Sequence, residues 1–509
     1  MPDLTLIATT LQTLFTDHAT RLAQQTGLVR RQSKLSGPLI LLILVAGFIQ
    51  HPTASYNILA QVATDYGVNV TRQAIQQRLT RSAVSFFQHL FQCSLHMLQQ
   101  HLVSLPIPVL TQFHSVYLLD SSQIALPARL ANQYPAPGGD GPKAGIKWQV
   151  LWEILTGNLH AVLGQPAKQS DHHYRDYLPL LQGGSLILFD LGYVALGVLR
   201  QLMDMHVYFI CRWNPRLEAF TQDGRPVDLG EVLEECIGRG SDRGSDRGSD
   251  RGSDRGSDRG RGTTNQVELT LRLGVEAQLP LRVVASRLPV SASEQRRRRA
   301  HANEKRRGYQ YSAAYLALLD WNIYITNVEV EQLSGEAVRM VYSARWQVEL
   351  LFKLWKMQGE LDRVAGRTAG RVMCEMYAKL IGMVIFGYLT APIRLTAGEI
   401  NERDITQGTE LSPNRAWQVW QRKITMIASA LHTGKGVAAV LARLYSWWKQ
   451  YGRKETRKDR PTTFEGLSSI SGMRPTPGEF DHAHQAQQWL NWTADMFTSP
   501  KAAPVISLT

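Results

Sequence analysis

The sequence predicts an α/β protein in which a sheet-forming centre, carrying a β-strand insertion, is flanked by helical N- and C-terminal regions. Three observations carry that prediction. Apolar residues recur at helical spacing up to about residue 110, in LIATTLQTLF and AVSFFQHLFQCSLHMLQQHL. From about residue 115 the pattern becomes short β-type runs bounded by turn residues: SVYLLD, IKWQVLWEIL, NLHAVLGQ, SLILFD and VYFICRW. Past residue 330 helical spacing returns, in YSARWQVELLFKLWK and MCEMYAKLIGMVIFGYL.

A chain of 509 residues, 44% hydrophobic and 19% charged, is globular and has room for more than one core. Its formal charge of +13 selects a polyanionic partner, nucleic acid first, although a ribosomal or membrane-surface protein shows the same balance. Cys93, Cys211, Cys236 and Cys374 are scattered, so neither a zinc site nor a disulfide framework is indicated and a reducing, cytoplasmic setting is expected. The most apolar run, from Pro38 to Ile49, is shorter than the roughly 20 residues that a membrane span requires, and reads as a buried helix. The start, MPDLTLIATT, lacks the marks of a secretory signal.

Within residues 1–112 the segment LAQVATDYGVNVTRQAIQQRL reads as helix, Gly67 turn, and a second helix opened by Thr71, with Arg72, Gln73, Gln76 and Gln77 facing out. It is either a helix-turn-helix that reads a major groove or an ordinary helical hairpin. The next three runs make antiparallel strands, with a hairpin turn at Gly157 and Asn158. A polar stretch from His172 to Leu181 reads as helix, SLILFD as a strand ending at Asp190, then a helix through Leu199 and the strand VYFICRW. Three strands, helix, strand, helix, strand is the order of a ribonuclease H-like core.

That pattern breaks after Arg212 and resumes at WNIYITNV, near residues 321–328. Between them, over about 214–318, QVELTLRLG and LPLRVVASRL predict an inserted β subdomain, with a basic arm at Arg296 to Arg299 and at Lys305, Arg306 and Arg307. SDRG repeats five times from Ser241 to Gly260, a low-complexity tract with nothing to bury, so disorder is expected over 239–262. The core region is expected to span 113–392. From 393 to 509 a helical region follows, including an amphipathic helix in AVLARLYSWWKQYGRKETRKDR with a basic exit, and a surface tail from about 472.

The chemistry concentrates in YSARWQVELLFKLWK. Tyr342, Arg345, Glu349 and Lys356 stand at offsets of three, four and seven, and with Lys353 they share one stripe of a helix. Val348, Leu350, Leu351, Leu354 and Trp355 take the opposite arc. Such a face suits a metal bound against a phosphodiester, or else it is a solvated surface with an Arg345–Glu349 pair. Asp120 and Asp190 each close a strand. Singly, each reads as a turn residue or helix cap as readily as a ligand. Jointly with Glu349 they make an oxygen-donor set for two Mg²⁺ or Mn²⁺ ions about 3.5–4 Å apart, activating a water or 3′-hydroxyl.

These residues resemble DDE transposases of bacterial insertion sequences, specifically the insertion-sequence-four family. Its signature is Tyr, two residues, Arg, three residues, Glu, six residues, Lys, and Tyr342, Arg345, Glu349 and Lys356 match every spacing. FDLGY around Asp190 resembles the box of the second acidic residue and LLDSSQIALP that of the first; PGGDGPKAGIKW, YFICRW and DWNIYITNV also have family counterparts. The likeness covers about residues 110–390. It departs at Leu191, where many relatives carry a basic or polar residue, and at Ser121, where glycine is common.

The resemblance implies that Asp120, Asp190 and Glu349 are catalytic and bind the metal. It implies that Tyr342, Arg345, Lys353 and Lys356 hold DNA phosphates near the cut end. Trp321 lies where a relative receives a flipped base, although burial in the strand is the slightly favoured reading. The function so implied is binding of terminal inverted repeats, cleavage of the ends and strand transfer into target DNA, by a homodimer on paired ends with the C-terminal helices aiding dimerisation. Two rivals are a structure-specific DNA nuclease of the same fold and a catalytically silent DNA-binding regulator.

Overall fold

The computed structural model describes residues 3–99, 107–242, 266–396 and 411–453. The first helix, Leu4–Thr13, opens on Asp3, whose carboxylate accepts from the Thr5 and Leu6 N–H groups, and it runs through a π turn, Leu14–His18, into Ala19–Gln25. Ser36 caps the helix Gly37–Gln50 by accepting from Leu39 N at 3.4 Å, and Pro38 sits in the first turn, where no N–H is needed. Every residue from Leu39 to Ile49 is buried, as a helix apolar on all sides must be. The helices Tyr56–Thr64 and Arg72–Arg78 flank a turn in which Gly67 takes a φ of 72°. Thr71 caps the second, and Arg72, Gln73, Gln76 and Gln77 are exposed while Ile75 is buried.

Among the described residues ten strands form one sheet. They are β1 (Val116–Leu126), β2 (Ala144–Glu153), β3 (Asn158–Pro166), β4 (Leu186–Phe189), β5 (Tyr208–Arg212), β6 (Ala219–Phe220), β7 (Pro226–Val227), β8 (Gln266–Leu273), β9 (Leu279–Arg287) and β10 (Trp321–Thr326). Their order is β3-β2-β1-β4-β5-β10-β9-β8-β6-β7, with β1, β4 and β5 parallel and the other pairings antiparallel. The expected hairpin between β2 and β3 is present, turning at Gly157 with φ 76°. β1 runs six residues beyond the expected end at Asp120, because β2 continues to pair with it as far as Leu126 opposite Ala144.

The strands expected in the insertion, β8 and β9, join the same ladder through β10. The expected disorder of 239–262 falls outside the described residues from 243 onward, whereas 239–242 close the helix Leu229–Asp242. The helix expected from His172 to Leu181 is not formed. Only 3-10 turns occur there, Asp171–His173 and Leu178–Leu180, since Pro179 cannot donate within a helix and Asp171 is drawn away to partners on β1 and β2.

Alternation along the strands gives the sheet two faces. Val116, Leu118, Trp148, Val150, Leu186, Leu188 and Ile210 belong to a large core that they share with the helices Gly37–Gln50, Arg81–Gln99, Ala369–Thr396, Pro413–Thr433 and Val437–Tyr451. Tyr117, Leu119, Leu151, Ile187 and Phe189 face the second core, with the helix Leu196–Asp204 and the inner residues of β8 and β9. The N- and C-terminal helices therefore share one core on one side of the sheet.

The helix Ala369–Thr396 runs through that core. Its stretch Ala369–Ala391 is long and apolar enough to cross a membrane, but 94% of the most apolar part is buried inside the protein. Arg371, Glu375 and Lys379 stand one turn apart on it, 4%, 0% and 2% exposed. Glu375 accepts from Lys379 Nζ at 3.1 Å and from Ala365 N at 3.2 Å, and its other oxygen lies 3.6 Å from Arg371 Nε. Lys379 also donates to the carbonyls of Glu360 and Arg363, and Arg371 to that of Ala54. The cluster thus ties the loop after the helix Trp346–Met357 to the N-terminal helices.

Candidate active site

Register brings the two aspartates together. In the parallel pairing of β1 with β4 the last partners are Leu119 and Phe189, so Asp120 and Asp190 are the next residues on adjacent strands. Alternation turns both towards the larger core, the side on which Val348, Phe352 and Trp355 of the helix Trp346–Met357 are packed. Asp120 is a mid-strand residue of the long β1, and Asp190 caps the short turn Leu191–Tyr193 by accepting from Leu191 N at 2.8 Å.

The segment expected as one helix is two. Gly335–Ser343 carries Tyr342, Trp346–Met357 carries Glu349, Lys353 and Lys356, and Arg345 lies at the joint. There the backbone tightens to i+3 bonds, Arg345 N to Tyr342 O at 3.0 Å and Val348 N to Arg345 O at 3.2 Å. Tyr342 is 4% exposed and its hydroxyl donates to Phe189 O at 3.3 Å, bracing the joint against the end of β4 rather than facing a ligand. Arg345 reaches across to both acids: Nη1 donates to Asp120 Oδ2 at 3.0 Å and Nη2 to Glu349 Oε1 at 2.7 Å.

Burial pushes the Asp120 carboxyl up to about 6; the Ser121 N–H and Arg345 oppose the rise, and the charges of Asp190 and Glu349 add to it. Asp190 and Glu349 are thus both near enough to act on Asp120. Burial likewise raises the Tyr342 phenol, with Asp190 adding and Arg345 and Arg212 opposing. Among the described residues no group of three or more His, Cys, Asp and Glu side chains converges closely enough to hold a metal as it stands. The Arg345 guanidinium instead stands between Asp120 and Glu349 as their shared counter-charge. The donor chemistry, carboxylate oxygens only, nevertheless fits a hard divalent cation.

The raised value of Asp120 has a measurable consequence. Between the unfolded value of 3.8 and about 6 the native state holds the extra proton, so stability is lost as pH rises through that window. Asp120→Asn removes this penalty and is expected to gain roughly 1–3 kcal/mol at pH 7.5, where each pH unit is worth about 1.36 kcal/mol. The gain should vanish below pH 4. Melting curves of both proteins across pH test this, and a difference independent of pH would refute it.

Lys353 is exposed, its Nζ 5.2 Å from the centre of the Trp346 ring, and Lys356 is half-buried. Leu350, expected to pack inward, is 43% exposed beside Trp346 at 48%. Trp321 opens β10 at the same sheet edge, yet it is 2% exposed and its Nε1 donates to Glu234 at 3.3 Å. No base can stack on it in this arrangement.

Two features escaped the sequence reading. Arg212, which ends β5 level with Asp190, lies 5.9 Å over the Tyr342 ring. Asp171 accepts from Lys147, Gln149 and Ser121 at 3.1, 2.6 and 3.2 Å, and Gln149 accepts from the Tyr193 hydroxyl at 2.5 Å. That network joins the residue after Asp120 to the turn after Asp190.

A family model described as the transposase DDE domain matches residues 111–385. The chain is similar to the transposase for insertion sequence element IS231E of Bacillus thuringiensis subsp. finitimus, 25% identical over 88% of this chain and 92% of that one. The transposase for IS231C of Bacillus thuringiensis subsp. berliner is 26% identical over 89% and 93%, and that for IS1151 of Clostridium perfringens 23% over 81% and 85%. The chain belongs to the transposase DDE domain family, as the two aspartate boxes and the spacing of Tyr342, Arg345, Glu349 and Lys356 led us to expect.

Proposed function

We propose that the protein binds the terminal inverted repeats of its own element, cleaves the DNA ends by hydrolysis and joins the 3′-hydroxyls to target DNA by transesterification. The observation that carries this reading is that Arg345 bridges Asp120 and Glu349 at the sheet edge where register sets Asp190 beside Asp120. The order β3-β2-β1-β4-β5 with its last three strands parallel supports a ribonuclease H-like core within 113–392. Asp120, Asp190 and Glu349 would hold two divalent cations, Mg²⁺ or Mn²⁺, which supply Lewis acidity for the attacking and departing oxygens.

The remaining work belongs to the chain itself. Arg345 keeps Asp120 and Glu349 together and, as a planar five-donor group, suits a phosphate oxygen. Lys353 and Lys356, further along the same helix, add charge for the backbone of the cut end. Tyr342 holds the joint in place. The exposed Arg72, Gln73, Gln76 and Gln77 supply groups that read base edges, which supports recognition of the repeat by the N-terminal helices. A homodimer would bring two ends together, with the C-terminal helices aiding the pairing.

The test is a donor plasmid carrying the element's own ends, incubated with the protein and Mg²⁺. Liberated ends and joined products are expected. Cleavage without joining would mark a nuclease, and repeat binding without cleavage a silent regulator.

A further inference from the structure

The helix Val290–Arg307 has two unlike faces. Ser293 and Ala300 are buried, Arg296 donates to Trp321 O and Asn322 Oδ1 at 2.8 and 2.6 Å, and Arg297 pairs with Asp320 at 2.5 Å. Those groups lock the helix to the start of β10. At 100° per residue, Gln295, Arg298, Arg299, Ala302, Lys305 and Arg306 fall on the opposite arc, and all six are exposed. The arc holds no carboxylate. Glu294 reaches Arg298 from the flank at 3.3 Å in a fully solvated pair, the kind worth least.

A favourable helix dipole accounts for Lys305 and Arg306 in the last turn, but not for Arg298 and Arg299 in mid-helix. The stripe is roughly 16 Å long at 1.5 Å per residue. A duplex offers one phosphate charge per ~1.7 Å of axis, so four cations over that length face an ample complement.

Its position is fixed by the sheet. β10 is antiparallel to both β5 and β9, so β9 runs with β1, β4 and β5 and ends at the edge that carries the carboxylates. Arg287, the last residue of β9, pairs with Trp321, three residues beyond Tyr324, which lies opposite Arg212. β9 therefore ends three residues past the level of Asp190, and the basic helix starts three residues further on.

We propose that the outward face of Val290–Arg307 seats target DNA, gripping its phosphates without regard to base sequence. This rests on the transposase reading above and adds where one of the two DNAs lies. A transposon end must be told from all other DNA, which phosphate contacts cannot do; a target need not be.

The experiment uses the full-length protein with Arg298, Arg299, Lys305 and Arg306 all changed to alanine, a substitution that favours helix. End binding and end cleavage on short duplexes are expected within about twofold of wild type, joining of pre-cut ends to a plasmid at least ~10-fold down, and the log–log salt slope on random duplex shallower by ~3–4, at ~0.9 per lost contact. An equal loss of end binding would assign the surface to the transposon end and overturn the proposal. Unchanged joining and slope would leave only a solvated face, overturning it too. Should wild type neither cut nor join, the transposase reading fails, while the slope on random duplex still decides the stripe.

Discussion

Glu349→Ala is expected to abolish end cleavage while leaving repeat binding intact. A carboxylate that helps hold metal at a scissile phosphate contributes several kcal/mol of transition-state stabilisation, hence a loss of ~10³-fold or more at about 1.36 kcal/mol per factor of ten. Arg345 would keep its bond to Asp120, so the fold of the joint should survive. Single-turnover cleavage beside gel-shift binding decides the matter. Cleavage within tenfold of wild type would remove Glu349 from the chemistry.

The second large effect concerns stability. Glu375→Ala leaves Arg371 and Lys379 as buried cations without their shared carboxylate and strips the Ala365 N–H of its acceptor. Breaking a buried ion pair from one side costs about 3–5 kcal/mol. Burial already lowers the proton affinity of both cations, and Glu375 is the main counterweight. Denaturant unfolding of Glu375→Ala should show that loss, with Lys379→Met added to it recovering part. A midpoint unchanged from wild type would refute the argument.

How much of this was legible in the residues follows from what each signal measures. β1, β2, β4, β5, β9 and β10 were found because buried strands are apolar runs closed by turn residues. The two aspartates stood out because each follows such a run. What the sequence hid is tertiary. Spacing alone makes Tyr342 to Lys356 one helix, whereas the backbone tightens at Arg345, beside the point where Tyr342 bonds to the end of β4. Leu350 looks like a core residue by type, but it lies at the solvent margin of its arc, 43% exposed, while Val348 and Trp355 are buried. Asp171 sits in a polar stretch of helical appearance, and its role emerges only when Lys147, Gln149 and Ser121 arrive from two other strands.

The continuity of the ladder from β5 through β10 and β9 to β8 bears on any attempt to trim the protein. Excising about 214–318 would strip β10 of β9, one of its two neighbours, and turn a paired backbone into an open template for other chains, a hazard for aggregation. Length can change safely only where no rung is broken. In chain order the SDRG repeats from Arg243 onward fall between the helix Leu229–Asp242 and β8, apart from the residues of β9 and β10 that pair with one another.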